Sequence, residues 1–300
     1  GRGDRAAEAH RGQGGGAVNP RAKKAPFPWF GGKSTVAEAV WQRLGRPKQY
    51  IEPFCGSAAI LLAAPQPASL EVIGDANCYV ANFWRALKFR PADVTRWQDY
   101  PVSHIDLYAR HRWLTEPSRV ATLRESLMDP EWPGDAQIAG WWLWGQCCWI
   151  GSGWCDPARG QRGEGSAVDD TCGQIPHASN AGRGTQSTSL GKIPHASDAT
   201  GQIPFVSSRG MGAQGMVAEW MHTLASRLER VRVIHGDWSR CLNHHYGASE
   251  TAVFLDPPYL AFEKLYSDAS SEPIAAQVAA WAREHAHLRV ALCGHRGDYD

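Results

Sequence analysis

Residues 49–57, with the sequence Gln-Tyr-Ile-Glu-Pro-Phe-Cys-Gly-Ser, decide the fold. The run from residue 49 to Phe54 predicts a short buried strand, residues 55–57 predict a turn of small side chains, and residues 58–64 predict a helix. Residues 70–74 predict a second strand, which also leads into a helical pattern. This alternation of strands and helices is typical of a parallel α/β sheet, so we expect that fold class.

The alternation stops after about residue 90 and returns near residue 231. Between these points, apolar residues follow helical spacing only, up to about Ile150, which predicts an inserted helical segment. Downstream, the predicted strands are 231–235, 252–255 and 288–293, and the predicted helices are 216–229, one that begins near Ser239, and 271–285.

These patterns divide the chain into three parts. We predict a sheet domain formed by residues 26–90 and 231–300, and an insertion formed by residues 91–230. Residues 1–25 are polar and lack periodicity, so we expect a disordered tail there.

The insertion has two portions of different composition. Its helical portion contains six of the 14 tryptophans, between Trp132 and Trp154. We interpret these rings as core residues, and stacking on unpaired bases is the alternative. Residues 151–215 hold 13 of the 31 glycines, which predicts a long mobile loop without a core of its own. Three related Ile-Pro segments lie within this loop, at residues 173–179, 191–197 and 201–207.

Overall composition excludes several classes of protein. The 300 residues include 31 Lys and Arg against 30 Asp and Glu, a formal net charge of +1, which excludes an acidic disordered chain and a uniformly basic coat protein. No apolar run approaches the roughly 18 residues of a membrane span, and residues 1–25 lack the apolar segment of a secretory signal. We therefore expect a cytoplasmic protein. With a net charge near zero, any contact with nucleic acid must come from local basic patches.

The eight cysteines predict neither a structural zinc module nor a disulfide framework, because no two of them are spaced as Cys-x-x-Cys. Cys241, His244 and His245 are close in sequence, but they have no acidic partner and we interpret them as part of a helix surface. We therefore expect no metal site.

Asp256-Pro257-Pro258-Tyr259 directly follows an apolar strand, and the carboxyl end of a parallel strand is where open α/β sheets bind ligands. The Asp256 carboxylate and the Pro257 carbonyl can each accept a hydrogen from an exocyclic amine, and Tyr259 offers a face for a planar base. The alternative is that the two prolines only end the strand. We predict catalytic roles for Asp256, Pro257 and Tyr259.

Two further segments predict a cofactor site beside this quartet. Gly56 allows a ligand to approach the backbone closely, and the helix that follows presents its N-terminus to an anion. Asp75, after the second strand, is placed to bind ribose hydroxyls, to cap the next helix, or both.

The segment Gly31-Gly32-Lys33-Ser34 lacks both the spacing and the preceding strand of a triphosphate-binding loop. We expect Lys33 to contact the cofactor or a nucleic-acid backbone. Ser34 is predicted to cap a helix that ends near Leu44.

Together, these segments resemble the DNA adenine-N6 methyltransferases of the Dam-like D12 class. Residues 28–33 look like the family's Trp-x-Gly-Gly-Lys motif, and residues 52–57 look like its Glu-Pro-Phe-x-Gly cofactor loop. Residues 236–238 match a motif in which an acid and an aromatic ring hold the cofactor's adenine, and the Asp-Pro-Pro-Tyr quartet matches the catalytic motif. The resemblance implies that the cofactor-binding residues are Trp29, Lys33, Glu52, Phe54, Gly56, Asp75, Asp237 and Trp238.

The resemblance implies a Rossmann-like sheet that uses S-adenosyl-L-methionine to methylate an adenine flipped out of double-stranded DNA. The cofactor motifs come first, the insertion second and the catalytic motif last, which is the order of the family's alpha group, whose insertion is the target-recognition region. Ala58 and Ala59 stand where many relatives are richer in glycine. Since Gly1 is not an initiator Met and Asp300 directly follows a predicted strand, we expect a fragment that lacks the last strands. Separately, we expect a monomer.

Two alternatives remain open at the level of sequence. The same geometry serves any planar amine, so the substrate is alternatively cytosine N4 in DNA, or adenine in RNA. A protein of another class, an inactive DNA-binding fragment, is the second alternative.

Overall fold

The computed structural model describes residues 24–29, 31–149, 154–155, 210–242, 250–258 and 273–294, with the side chains of residues 210–216 excepted. Five strands in these ranges form one sheet: β1 Gln49–Glu52, β2 Leu70–Asp75, β3 Val231–His235, β4 Thr251–Leu255 and β5 Arg289–Leu292. All four pairings are parallel, and the order across the sheet is β3-β2-β1-β4-β5. The predicted parallel α/β fold is confirmed.

The helices within the described ranges alternate with the strands on either side of the insertion. They are α1 Ala37–Leu44, α2 Ala59–Leu62, α3 Cys78–Phe89, α4 Pro91–Gln98, α5 His104–Leu114, α6 Pro117–Ser126, α7 Ala136–Cys148, α8 Gly210–Leu228 and α9 Ile274–Glu284. None of these described helices is both long enough and apolar enough to cross a membrane.

Three predicted helix starts are wrong. The N-cap of α1 is Val36, which makes no side-chain hydrogen bond, so Ser34 does not cap this helix. The long helix α8 begins at Gly210, within the segment predicted as a loop, because the Met, Ala and Gln residues between its glycines favour helix. Residues 238–242 form a short 3-10 turn in place of the predicted helix near Ser239.

The two central strands place their last residues at the same edge of the sheet. All five residues of β4 are buried, as are the last three of β1, which is expected of parallel strands covered by helices on both faces. Ile51 pairs with Val253 in register, so β1 and β4 end side by side. Residues that follow these strands are therefore neighbours in space.

Helix α3 connects the sheet to the insertion. Its ten residues from Cys78 to Leu87 are all buried. The ring of Phe27 lies 5.2 Å from that of Phe83 and 5.0 Å from that of Trp142 in α7. One apolar cluster therefore extends from the sheet through α3 into the helices of the insertion.

The tryptophans of the insertion mainly fill this core. Trp142 and Trp144 are each 1% exposed. Trp132, Trp141 and Trp149 are partly buried and pack against the same cluster. The core interpretation is confirmed for Trp142 and Trp144, and the other three rings contribute part of their surface to the same core.

Trp154 and Cys155 lie in the segment predicted as a loop, but both are buried. The Trp154 indole donates a hydrogen bond to the Trp142 carbonyl at 2.9 Å, and Gly145 makes room for it, because a Cβ on Gly145 would overlap the indole. Trp154 and Cys155 therefore pack into the core formed by other segments, which does not test the prediction that residues 151–215 have no core of their own. Residues 156–209, with the Ile-Pro segments, lie outside the described residues, as do residues 1–23.

Strand β3 lies at one edge of the described sheet, and cationic side chains cover its free carbonyl groups. Lys88 donates to Val231 at 2.9 Å, Arg85 to Val233 at 3.0 Å and Arg240 to His235 at 2.5 Å. Satisfied carbonyls and a row of positive charge both disfavour pairing of this edge with another strand.

Candidate active site

Three acidic residues meet at the carboxyl edge of the sheet. Glu52 ends β1, Asp75 ends β2 and Asp256 directly follows β4. A small cavity at this edge is lined by Trp29, Lys33, Glu52, Phe54 and Asp256, among others. Its volume is about 20 Å³, which is space for about one water molecule.

Asp256 forms an ion pair with Lys33. The Lys33 Nζ lies 2.7 Å from Asp256 Oδ2, and the two side chains are only 15% and 18% exposed. Lys33 also donates to the Gly31 carbonyl at 2.8 Å. Burial raises the pKa of Asp256, and the hydrogen bond and charge of Lys33 oppose this shift. The sequence placed Lys33 near the cofactor or a nucleic acid, whereas the structure joins it to the predicted catalytic acid.

The rest of the predicted catalytic quartet is described only in part. Pro257 is buried directly after Asp256, and Pro258 is partly buried. Tyr259 lies outside the described residues, so its catalytic role stays a prediction.

Glu52 is a buried carboxyl group whose hydrogen-bond donors are neutral. Its Oε2 accepts hydrogen bonds from the Tyr50 hydroxyl at 2.9 Å and from the Leu61 amide at 3.1 Å. Glu52 is only 2% exposed. Burial raises the pKa of Glu52 to about 8, because these bonds only partly offset the loss of hydration. Glu52 is therefore mainly protonated at neutral pH.

Gly56 is held in place by three contacts. Its amide donates to Asp75 Oδ2 at 2.9 Å, and its carbonyl accepts a hydrogen bond from the Trp84 indole at 2.9 Å. The Trp29 indole lies against its Cα, where a Cβ would overlap the ring, and the φ angle is +44°. The sequence predicted that a ligand approaches Gly56 closely, but in this structure the Trp29 indole occupies that space.

The Asp75 carboxylate accepts hydrogen bonds from two segments, the turn after β1 and the segment before α3. Besides the Gly56 amide, its carboxylate accepts the Asn77 amide at 2.8 Å. The cap of α3 is Asn77, whose side chain accepts from the amides of Tyr79 and Val80, so the prediction that Asp75 caps this helix is wrong. Burial raises the pKa of Asp75 to about 6, against the lowering effect of its two backbone donors.

Trp238 and Asp237 occupy different environments after β3. Trp238 is 8% exposed and belongs to a second apolar cluster with Ile51 and Val253. Its ring is nearly parallel to that of Phe54, at 22° and 6.3 Å between centroids. Asp237 is exposed and accepts a hydrogen bond from the Ser239 amide at 2.9 Å. The geometry gives Trp238 a packing role, and the cofactor roles of both residues stay predictions.

The sequence reasoning missed two residues that shape the site. Tyr50 lies two positions before Glu52 on β1, so the two side chains share a face, and this period of two was available in the sequence. Trp84 reaches Gly56 across 28 positions, and no local pattern indicates such a contact.

Ala58, the N-cap residue before α2, lies in the left-handed region, with φ of +50° and ψ of +33°. Alanine at such a position is less favourable than glycine by about 1–2 kcal/mol. The backbone of this loop is therefore strained at Ala58.

Metal ligation has no support within the described ranges, where no group of three or more His, Cys, Asp or Glu could hold an ion. The predicted helix surface at His244 and His245 lies outside the described residues.

A parallel sheet with a small-residue turn after β1, an acid after β2 and Asp-Pro-Pro after β4 has the architecture of a Rossmann-like methyltransferase. Residues 29–111 match the family model of the D12 class N6 adenine-specific DNA methyltransferases. The match confirms the resemblance deduced from the motifs and supports DNA adenine-N6 methylation as the enzymatic activity. It covers residues 29–33, the loop after β1, Asp75 and the start of the insertion, and it reaches neither residues 236–238 nor Asp256. No curated protein matches the chain.

Proposed function

We propose that the protein transfers a methyl group from S-adenosyl-L-methionine to the N6 amine of an adenine flipped out of double-stranded DNA, with Asp256 as the residue that activates the amine. The observation that carries this proposal is the ion pair of Asp256. Asp256 directly follows β4, and its carboxylate already accepts from a nitrogen donor. That donor is the Lys33 ammonium, 2.7 Å away.

Asp256 and its neighbours suit the chemistry of a weakly nucleophilic amine. The lone pair of an exocyclic amine is delocalised into the base ring. Acceptance of the two amine hydrogens by the Asp256 carboxylate and the Pro257 carbonyl draws the nitrogen toward a tetrahedral shape and frees that lone pair. Pro257 and Pro258 restrict the direction of the carbonyl, and Tyr259 would stack on the base.

Neutral Glu52 supports this role of Asp256. The two carboxyl groups line the same cavity, and a charge on Glu52 would raise the pKa of Asp256 further. A protonated Glu52 leaves Asp256 as the ionised acceptor beside the target amine.

The residues around Gly56 fit the cofactor in chemistry. S-adenosyl-L-methionine, when bound, supplies an electrophilic methyl group. Asp75 would accept hydrogen bonds from its ribose hydroxyls at the end of β2, and the bare backbone of Gly56 would allow it to approach closely. The Trp29 indole already lies where a Cβ on Gly56 would be, which supports the proposal that a planar group can approach this backbone.

Binding requires a shift of residues 29–33. The cavity of about 20 Å³ admits neither cofactor nor base while Trp29 lies on Gly56 and Lys33 lies on Asp256. Both side chains belong to one segment between buried Phe27 and helix α1. Withdrawal of Lys33 from Asp256 releases the acceptor to the target amine.

Single-turnover methylation by an Asp256→Ala variant tests the proposal. We expect the rate to fall by about 10²–10³-fold, because the lost acceptor matters most as the amine becomes cationic. Calorimetry with S-adenosylhomocysteine should show nearly unchanged cofactor affinity.

Asp93→Ala is the matched control, because Asp93 is an exposed carboxylate on α4. This control should keep the wild-type rate. Near-normal turnover by Asp256→Ala would rule out the proposed role of the carboxylate.

A further inference from the structure

Trp84 connects helix α3, which leads into the insertion, to the turn after β1. Its indole N–H donates to the Gly56 carbonyl at 2.9 Å, and the residue is fully buried. Its ring packs against those of Phe27 and Phe83, with centroids 5.9 and 5.0 Å away. The donor to Gly56 is therefore anchored in the core, apart from residues 29–33, whose shift cofactor binding requires.

The turn after β1 contains one amide group that the protein itself does not use. The other three amides of residues 55–58 have acceptors: Cys55 donates to the Gly74 carbonyl at 2.8 Å, Gly56 to Asp75 at 2.9 Å and Ala58 to the Cys55 carbonyl at 2.6 Å. Among the described residues, no acceptor takes the Ser57 amide or the Ser57 hydroxyl. Ser57 is 6% exposed and lines the small cavity at the carboxyl edge of the sheet.

The hydrogen bond from Trp84 sets the direction of the Ser57 amide. The Gly56 carbonyl and the Ser57 N–H belong to one peptide group, and a trans peptide holds these two on opposite sides. Because the carbonyl points into the core toward Trp84, the amide points away from the core. Without the indole donor the buried carbonyl would be unpaired, which favours rotation of this peptide group, and glycine permits that rotation.

The order of the strands brings the amino-acid end of the cofactor to this turn. Asp237 and Trp238 follow β3, Asp75 ends β2 and the turn follows β1, and these strands are neighbours in the order β3-β2-β1. With the adenine beside Trp238 and the ribose at Asp75, as predicted, the amino-acid end extends toward β1. Its carboxylate is a strong acceptor for a backbone amide.

We propose that Trp84 is a positioning residue of the cofactor site, which acts through the Gly56 carbonyl to direct the Ser57 amide at the carboxylate of S-adenosyl-L-methionine. The lining of the cavity suits an anion, because it includes the Lys33 ammonium and because Glu52 is mainly protonated. The inference rests on the proposed function insofar as it takes this molecule as the cofactor.

Calorimetry with two ligands tests this role in the full chain. S-adenosylhomocysteine has the amino-acid end with its carboxylate, whereas 5′-methylthioadenosine lacks that end and keeps the adenine and the ribose. Trp84→Phe retains a buried ring but removes the N–H donor. We expect the Kd of S-adenosylhomocysteine to rise about 10-fold or more in this variant, and that of 5′-methylthioadenosine to change by less than about 2-fold.

Trp144→Phe is the matched control. Trp144 is 1% exposed, belongs to the same apolar cluster and donates its indole N–H to the Tyr100 carbonyl at 2.8 Å, within the insertion. Loss of this bond should lower thermal stability to a similar extent and leave both ligand affinities unchanged. An equal loss of affinity for the two ligands in Trp84→Phe would indicate a structural role alone and overturn the inference.

Amide hydrogen exchange in the wild type provides a second measurement, which does not depend on how well a variant folds. The Ser57 amide should exchange about 10-fold more slowly, or slower still, when S-adenosylhomocysteine is bound. 5′-Methylthioadenosine at equal occupancy should leave its exchange unchanged. Absence of this selective protection would contradict the proposed direction of the amide.

The outcomes for Trp84 are distinct from those for the proposed function. A folded wild type that binds neither ligand would overturn the role of Trp84. Selective loss of S-adenosylhomocysteine affinity in Trp84→Phe, from a protein that transfers no methyl group to DNA, would support the role of Trp84 and contradict the proposed activity.

Discussion

Glu52 and Asp256 border the same cavity, and their partners give them different charges. Asp256 has the Lys33 ammonium at 2.7 Å, whereas the donors to Glu52 among the described residues are the Tyr50 hydroxyl and the Leu61 amide. Two carboxyl groups with separate protonation states are a recurring arrangement in active sites. The protonation state of each carboxyl group therefore depends on the hydrogen-bond donors around it and not on whether the residue is Asp or Glu.

The raised pKa of Glu52 predicts how the free energy of unfolding depends on pH. The folded protein retains its proton up to about pH 8, whereas the unfolded chain releases it near the ordinary value of 4.5. Between these values the unfolded chain binds fewer protons, so the free energy of unfolding falls as pH rises, by up to about 1.4 kcal/mol per pH unit. Asp75 contributes in the same direction up to about pH 6.

Urea unfolding between about pH 5.5 and 7.5 measures this effect. The slope for Glu52→Gln should be smaller than that of the wild type, and the exposed substitution Glu125→Gln should leave it unchanged. Equal slopes for Glu52→Gln and the wild type would mean that Glu52 is already ionised in the folded state.

Gly56 gives a second prediction at the scale of one residue. Gly56→Ala should destabilise the fold by about 1–3 kcal/mol, because it places a side chain at positive φ and displaces the Trp29 indole. In a Trp29→Ala background the overlap is gone, and about 1 kcal/mol should remain from the backbone alone. Thermal unfolding of the four proteins in this cycle measures both values. Equal losses in the two backgrounds would disprove the contact between Trp29 and Gly56.

At the scale of elements, one buried ion pair fastens α8 to the sheet. Arg227 of α8 reaches both oxygens of Glu71 in β2, at 2.5 and 2.8 Å, and also the Leu61 carbonyl at 3.0 Å. Glu71 is fully buried, so its charge has no access to water. The helix that follows the insertion is therefore tied to β2 and, through Leu61, to α2 beside the candidate site.

Arg227→Met should destabilise the protein by about 3–5 kcal/mol, because it leaves the Glu71 charge buried without its cation. Lys48→Met is the control, since Lys48 and Glu250 form an exposed pair at 2.6 Å, whose loss should change stability by less than about 1 kcal/mol. Denaturant unfolding compares the two variants. Similar small losses in both would contradict the account of α8 as an anchored helix.

Element boundaries show what local sequence can and cannot predict. The predicted strands lie close to the observed ones, because β4 is a short apolar run and β1 is a short segment bounded by turn residues. The start of α8 was missed because glycine content outweighed the helix-favouring residues around it. The burial of Trp154 depends on the space left by Gly145 of α7, a tertiary contact with no local signal.

At the scale of the whole molecule, the position of the candidate site could be predicted from the sequence, but the interactions of its residues could not. Parallel strands end at one edge, so Glu52, Asp75 and Asp256 could be expected together. The partners of these acids could not, because Lys33 reaches Asp256 from a segment more than 200 positions away. The packing of Trp238 between the Phe54 and Trp281 rings is likewise set by the fold and not by its motif.

The central claim, adenine-N6 methylation of DNA, is tested most directly by identification of the modified nucleoside. The full chain is incubated with methyl-labelled S-adenosyl-L-methionine and either duplex DNA or RNA of matched sequence, and the products are digested to nucleosides and separated. The account predicts label in N6-methyladenine from DNA, with none in the RNA sample. Label in N4-methylcytosine or in RNA, or no label in DNA from a folded protein that binds the cofactor, would contradict it.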